Sequence, residues 1–191
     1  MAEPLKILGI AGSLRRDSYN KAALRAAQLL APAGVVLEPF DLEGIPLYNQ
    51  DNELSPPPQV VELKRRVRSA DAILFVTPEH NFSIPAALKN AIDWVSRPQT
   101  DNAWAGKPAA VMGASYGRIA TARAQAHLRQ IFVYIDVLPI NKPVVMIGEA
   151  AQAFDSQGTL VDEKAKNLIR QLLEALATWV LRLRGPGTTN A

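Results

Sequence analysis

Near its start the chain runs Leu5-Lys6-Ile7-Leu8-Gly9-Ile10-Ala11 and then changes character at once, to Gly12-Ser13-Leu14-Arg15-Arg16-Asp17-Ser18-Tyr19-Asn20. An apolar run interrupted only by Lys6 suits a strand covered on both faces, the condition met in parallel sheets layered between helices. The segment after it is dense in hydrogen-bond donors. Ser13, Ser18 and Asn20 can donate from side chains, Arg15 or Arg16 can add a charged fork, and the N–H groups opening the next helix point into the same space. Such a loop has room for a phosphate monoester. It also reads as an ordinary strand-to-helix turn with Ser18 as N-cap, a role that serine favours. Two common phosphate loops are excluded by their own requirements. No lysine follows Gly12, as the P-loop needs, and Gly9 and Gly12 alone cannot supply the three glycines of the dinucleotide fingerprint.

Strand and helix patterns alternate along the rest of the chain, which predicts a parallel sheet with helices on both faces. Ala23, Ala26, Ala27 and Leu30 form a helical stripe closed by Pro32 and Gly34. Val35–Phe40 is a second strand, and 41–54 has the Gly, Pro, Asn and Asp density of an irregular loop. Ser55-Pro56 is expected to start a helix with Val60, Leu63 and Val67 inward. The apolar run Ala72–Val76 predicts a third strand beside the first at the sheet centre, followed by a loop stiffened by Pro78 and Pro85. Pro85 then opens a helix with Leu88, Ala91, Ile92 and Val95 on its core face. A fourth strand over 109–114 leads into Ser115-Tyr116-Gly117-Arg118 and a helix reaching about Tyr134. An edge strand near 143–147, a turn over 154–159, a long last helix and a frayed tail over 185–191 complete the expectation.

These elements predict an α/β fold, one domain over residues 1–191: a flavodoxin-like three-layer sandwich with a five-stranded parallel sheet of order 2-1-3-4-5. In that order strands 1, 3 and 4 are adjacent, so the loops after them meet at one crevice by the switch point of the sheet. One loop brings the phosphate-sized nest and one a stiff rim with Glu79 and Asn81. The third brings a glycine turn that a flat ring can approach. The set suits FMN.

Composition narrows the chemistry further. The chain has no cysteine, and His80 and His127 are its only histidines, so disulfides, thiolate catalysis and cysteine- or histidine-rich metal sites are excluded. A net charge of +3, from 21 basic against 18 acidic residues, suits anionic small molecules but is no nucleic-acid footprint. No apolar run approaches the ~18 residues of a membrane span, and Met1-Ala2-Glu3-Pro4 lacks a basic leader, so the cytoplasm is the expected location.

Four motifs carry a resemblance: Gly12-Ser13-Leu14-Arg15 with Ser18 and Asn20; Pro78-Glu79-His80-Asn81; Leu88-Lys89-Asn90-Ala91-Ile92-Asp93-Trp94; and Gly113-Ala114-Ser115-Tyr116-Gly117. In this order and at these strand ends they resemble the NADPH-dependent FMN reductase family, within it the branch of chromate or quinone reductases and FMN-dependent azoreductases. The resemblance implies that Ser13, Arg15, Ser18, Tyr19 and Asn20 hold the FMN phosphate end. It also implies that Pro78, Glu79, His80 and Asn81 line the isoalloxazine and that Ser115, Tyr116, Gly117 and Arg118 close the other edge. It implies hydride transfer from NAD(P)H to FMN and on to quinones, flavins, azo compounds or chromate by a ping-pong mechanism, in a homodimer or a tetramer of paired dimers. The family usually has tyrosine where His80 stands, and further glycines where Ile119, Ala120 and Thr121 follow Gly117. No protein acid or nucleophile is required, since the cofactor carries the chemistry.

Other readings stand beside these. Glu79 can cap a helix N-terminus instead of touching a ligand. Lys89 and Arg97 are either contacts for NADPH phosphates or solvated charges. Trp94, His127 and Tyr134, beside the core stripes, are expected at a subunit interface formed by the helices at 85–96 and 119–134. The rival function is an electron carrier of the flavodoxin type or an FMN-binding interaction module. A carrier calls for an acidic docking face, against which the basic net charge weighs.

Overall fold

In a computed structural model that describes residues 3–185, a six-stranded parallel sheet has the order β2-β1-β3-β4-β5, with β6 also paired to β4. β1 (Leu5–Ala11) and β2 (Val35–Phe40) lie where the sequence places them, as does β3 (Ala72–Val76), and β4 (Pro108–Ala114) begins one residue earlier than expected. All of β3 and β4 is buried. Ala11 pairs with Val76 and Val76 with Met112, so the three central strands end nearly level and deliver their loops to one place.

Successive residues of a strand face opposite sides, and the two cores follow that alternation. Leu74, Ala110 and Met112 pack under α1 (Tyr19–Leu29) and α6 (Glu163–Arg184), through Ala23, Ala27, Ile169, Leu172 and Leu176. Phe75 and Val111 face α2 (Pro58–Ser69), α3 (Ala86–Val95) and α4 (Ala122–Ile135), through Leu63, Leu88, Leu128 and Phe132. There the Phe75 ring lies 5.0 Å from Phe132 and 5.5 Å from Trp104, centroid to centroid. The three-layer arrangement is thus the one expected from the alternating pattern.

Two local expectations need correction. α2 does not start at Ser55-Pro56 but at Pro58, with Pro57 as its cap. Each residue preceding a proline is pushed out of the helical region, so a run of three prolines lets a helix begin only at the last of them. The fifth strand position is filled by two pieces, β5 (Leu138–Pro139) pairing the start of β4 and β6 (Val145–Ile147) pairing its end. Pro139 and Pro143 have no N–H to give a ladder. Between the pieces Arg129 substitutes a side-chain donor, bonding the Ile140 carbonyl at 2.9 Å. Beyond β6 a short α5 (Ala150–Ala153) leads to a turn closed by an Asp155–Thr159 backbone bond of 2.9 Å. Of the tail expected to fray over 185–191, only Gly185 is among the described residues.

Candidate active site

The loops after β1, β3 and β4 enclose a crevice of about 600 Å³, within the ~300–1,000 Å³ usual for small-molecule sites. Ser13, Arg15, Ser18, Tyr19 and Asn20 line it at the α1 end, Pro78, Glu79 and His80 along one rim, and Ser115 and Tyr116 along the other. Asn81, Gly117 and Arg118, placed in the site by sequence, do not line it.

At the α1 end both readings of Ser18 hold together. Its hydroxyl oxygen accepts the N–H groups of Asn20 at 3.1 Å and Lys21 at 3.5 Å, so it caps the helix. Ser13 likewise accepts the N–H of Arg15 at 3.3 Å. A hydroxyl has one proton beside its lone pairs, so each serine still has a donor for a ligand that can only accept. Arg15 lies beside Tyr19, its guanidinium 5.7 Å from the ring centroid, and makes no ion pair among the described residues. Of the two arginines offered by the loop, Arg15 is the one on the crevice. Asn20 is differently occupied: buried, it donates to the Ala114 carbonyl and accepts the Ala114 N–H, both at 2.9 Å. It ties the first helix to the end of β4 and so fixes the width of the crevice.

The rim after β3 is a tight turn. His80 and Ser83 exchange two backbone bonds of 2.9 Å, and Asn81 and Phe82 between them have φ of 50° and 66°. Positive φ at both central positions is the I′ geometry, which turns the exposed Asn81 away at the tip. For a bulky residue such as Phe82 the left-handed conformation costs about 1–2 kcal/mol. Arg123 compensates from α4, its guanidinium 3.7 Å from the Phe82 ring centroid.

Glu79 anchors the same rim from beneath. Its side chain is 7% exposed and accepts three bonds, from the Arg123 N–H at 2.9 Å, the Ala124 N–H at 3.1 Å and the Arg123 Nε at 2.7 Å. It therefore caps a helix, but α4, 43 residues downstream, and not the helix that follows its own loop. Burial alone would raise its pKa; the Arg123 bond and the two backbone donors outweigh that and hold it below the usual glutamate range. The carboxylate is thus committed to the scaffold.

On the opposite rim Tyr116 stands edge-on to Tyr19 at 5.1 Å, and Tyr19 leans on Phe154 at 5.3 Å. Arg118 projects outward, 89% exposed, with Glu149 at 3.9 Å. Ala86 and Ala87, small residues opening α3 behind Pro85, also line the crevice. Sequence reasoning missed them; the available signal was a small pair just inside a helix start, where a bulky side chain would fill the space.

Together, an anion nest, two rims of backbone and a floor of small residues fit FMN in both charge and shape. A family description, NADPH-dependent FMN reductase, matches residues 5–152. The chain belongs to that family. It is an FMN-dependent oxidoreductase that takes NAD(P)H as its substrate. Among its relatives, an NAD(P)H-dependent FMN reductase of Pseudomonas aeruginosa is 56% identical, the match covering 97% of this chain and 100% of that one. An NADPH:quinone oxidoreductase of Arabidopsis thaliana is 42% identical over 95% of this chain and 94% of its own length. The solved structure of the flavoenzyme NAD(P)H:(acceptor) oxidoreductase of Paracoccus denitrificans superposes with a TM-score of 0.84 at 37% identity, covering 93% of this chain and 98% of that one.

Proposed function

We propose that this family member oxidises NAD(P)H and reduces small oxidised acceptors, quinones foremost, with free flavins, azo compounds and chromate as further acceptors at the same opening. The carrying observation is the crevice itself: donors at one end, rims of backbone, and no uncommitted acid, since the Glu79 carboxylate is held by α4. When bound, FMN supplies the two-electron redox chemistry. The chain's part is to hold and shield. Ser13, Arg15 and Ser18 hold the phosphate, Pro78, Glu79 and His80 border the ring through their backbone, and Ser115 and Tyr116 border its other edge. A quinone leaves as hydroquinone, its two electrons and one proton coming from the hydride of NAD(P)H and its second proton from water; NAD(P)H leaves as NAD(P)⁺. The proposal treats the whole chain as one FMN-binding unit and includes a cytoplasmic location, where a reduced nicotinamide donor is at hand. Purified protein should be yellow and should bleach on anaerobic addition of NADPH; a colourless protein that gains no colour from FMN would reject the assignment.

Arg15→Ala is expected to weaken FMN binding by about 1.5–3 kcal/mol, the worth of a hydrogen bond to a charged group, without changing the fold. Calorimetric titration checks it, and unchanged affinity would take Arg15 out of the phosphate nest.

Donor and acceptor are proposed to use one open face of the same FMN in alternation. Donor and acceptor each need close approach, about 3–3.5 Å, to the same reactive face, so they exclude one another. Initial rates against NADPH at several quinone concentrations are expected to give parallel lines, with excess quinone competing against NADPH. Intersecting lines would reject the one-face scheme.

The unit is proposed to be a homodimer, or a tetramer of two dimers. Phe82 in the rim turn, Ile119 just before α4, and Val133 and Tyr134 in its last turn are large and 61–85% exposed, the apolar and aromatic residue types enriched in interface cores. Trp94, expected in that interface, is 1% exposed and bonds the Pro46 carbonyl at 2.8 Å, so it packs within its own chain. Lys89 is paired with Asp93 at 2.8 Å. Sedimentation at micromolar concentration is expected to show at least twice the 20.8 kDa of one chain; a monomer would exclude the dimer.

A further inference from the structure

Beyond the Tyr19–Tyr116 pair lies a second cavity, of about 380 Å³, that shares Arg15, Ser18 and both tyrosines with the first. Its own walls bring together Arg16 from the first loop, Arg25 from α1 and the turn at 155–158. The FMN nest uses none of these. We propose that this cavity receives the phosphorylated ribose of NADPH, the 2′-phosphate that NADH lacks, and so gives the enzyme its preference between the two donors.

The electrostatics favour a dianion. Arg16 and Arg25 line the cavity without lining the FMN crevice, and neither has an acidic partner among the described residues; Arg15, shared by both cavities, is the one assigned to the FMN phosphate. Two acids also line it. Asp155 has its carboxylate turned onto its own loop, accepting the N–H groups of Thr159 at 2.8 Å and Gln157 at 2.9 Å. Asp17 is exposed. An isolated guanidinium on open surface would be an ordinary solvated charge. Two that are uncommitted at one concavity form a fork pair suited to phosphate oxygens.

The turn at 155–158 lies close to Arg25. Gly158 has φ of +76°, and a Cβ added there would lie 3.2 Å from an Arg25 terminal nitrogen. The absence of a side chain leaves that guanidinium its place over the turn. The hydrogen-bonded Asp155 loop keeps the wall in position without a ligand. Tyr116, 64% exposed, offers a ring at the boundary on which an adenine can stack. The position suits a dinucleotide as well: with the nicotinamide end in the first cavity, the rest of the molecule crosses the shared tyrosines into the second.

This inference rests on the proposed NAD(P)H site, so its test separates the two. FMN-loaded protein is titrated calorimetrically with 2′,5′-ADP and with 5′-AMP, which differ by the one phosphate. The 2′,5′-ADP is expected to bind at least about ten-fold tighter, the scale of one charge-assisted hydrogen bond. In Arg16→Gln with Arg25→Gln the ratio is expected to fall to near one, while FMN still binds stoichiometrically. The ratio of kcat/KM for NADPH over NADH should fall with it. Equal binding of the two nucleotides by the natural protein, or a ratio that survives both substitutions, overturns the inference and leaves the FMN site standing. Failure to bind FMN at all would reject the function on which it depends, and the inference with it.

Discussion

Glu79→Ala is expected to destabilise the protein by about 2–4 kcal/mol, because it leaves the first turn of α4 and the Arg123 guanidinium without their shared acceptor. The upper end of the buried-pair range is not reached, since Arg123 is 40% exposed and can turn to water. The two backbone donors cannot. With α4 uncapped, Arg123 also loses the bond that holds it over Phe82, and the rim turn loses its compensation for two left-handed residues. FMN affinity should fall along with stability. The pH dependence has a definite sign. A carboxylate whose native pKa lies below its unfolded value stabilises fully above the unfolded value, near ~4.3, and loses that contribution as pH falls through the native one. Urea midpoints of the natural protein should therefore fall with acidification below that range. Glu79→Gln, which keeps the shape but cannot titrate, should show a shallower acid limb. Identical limbs, or an Ala variant as stable as the parent at neutral pH, would mean that the cap contributes nothing.

Gly113→Ala is expected to be comparably severe, at about 3 kcal/mol, the upper end of the overpacking range. A Cβ there would sit 2.2 Å from the Thr77 carbonyl oxygen and 2.4 Å from the Thr121 hydroxyl. Neither neighbour has room to yield. Thr77 is held by a 2.9 Å bond to the Met112 carbonyl, and Thr121 accepts from Gln125 at 3.0 Å. The strand itself is paired on both sides. Because Thr77 leads directly into Pro78, the strain would enter the rim of the FMN crevice. Gly117→Ala provides the contrast: its added Cβ meets nothing within 4 Å, and the shift should stay within ~0.5 kcal/mol, as for an open surface site. Thermal unfolding of the pair decides the matter, and similar midpoints would refute the close-packing argument.

What could be read from sequence divides along physical lines. Strands such as Ala72–Val76 announce themselves because both faces are buried, so every residue is apolar and the boundaries fall at the first polar group. The same holds for the α1 stripe and for Ser18, whose cap lies within three residues of it. Glu79 reads in sequence as a ring contact or as the cap of the helix after its own loop. Its true partners lie 44 and 45 residues away and are joined to it by the β3–β4 pairing, which no local pattern contains. Asn20 shows the same limit over a separation of 94 residues: its type suggests the ligand contact, and only the fold shows that its amide also holds Ala114. The divided fifth strand was hidden for another reason. Apolar periodicity locates a buried edge, but whether its backbone can pair continuously depends on where the prolines fall.

That divided strand has a bearing on how the molecule behaves in crowded solution. An open sheet ends in two rows of unpaired backbone groups, each a template onto which a stray chain can add. Here one border consists of pieces two and three residues long, too short to nucleate much pairing. The other is β2, which presents exposed Pro39 and an exposed Glu38 paired to Arg66 at 2.7 Å. A strand that docks along it meets a missing N–H and a fixed charge. The irregularity at one border and the proline at the other thus discourage edge-to-edge aggregation while the central strands, which position the crevice, remain uninterrupted.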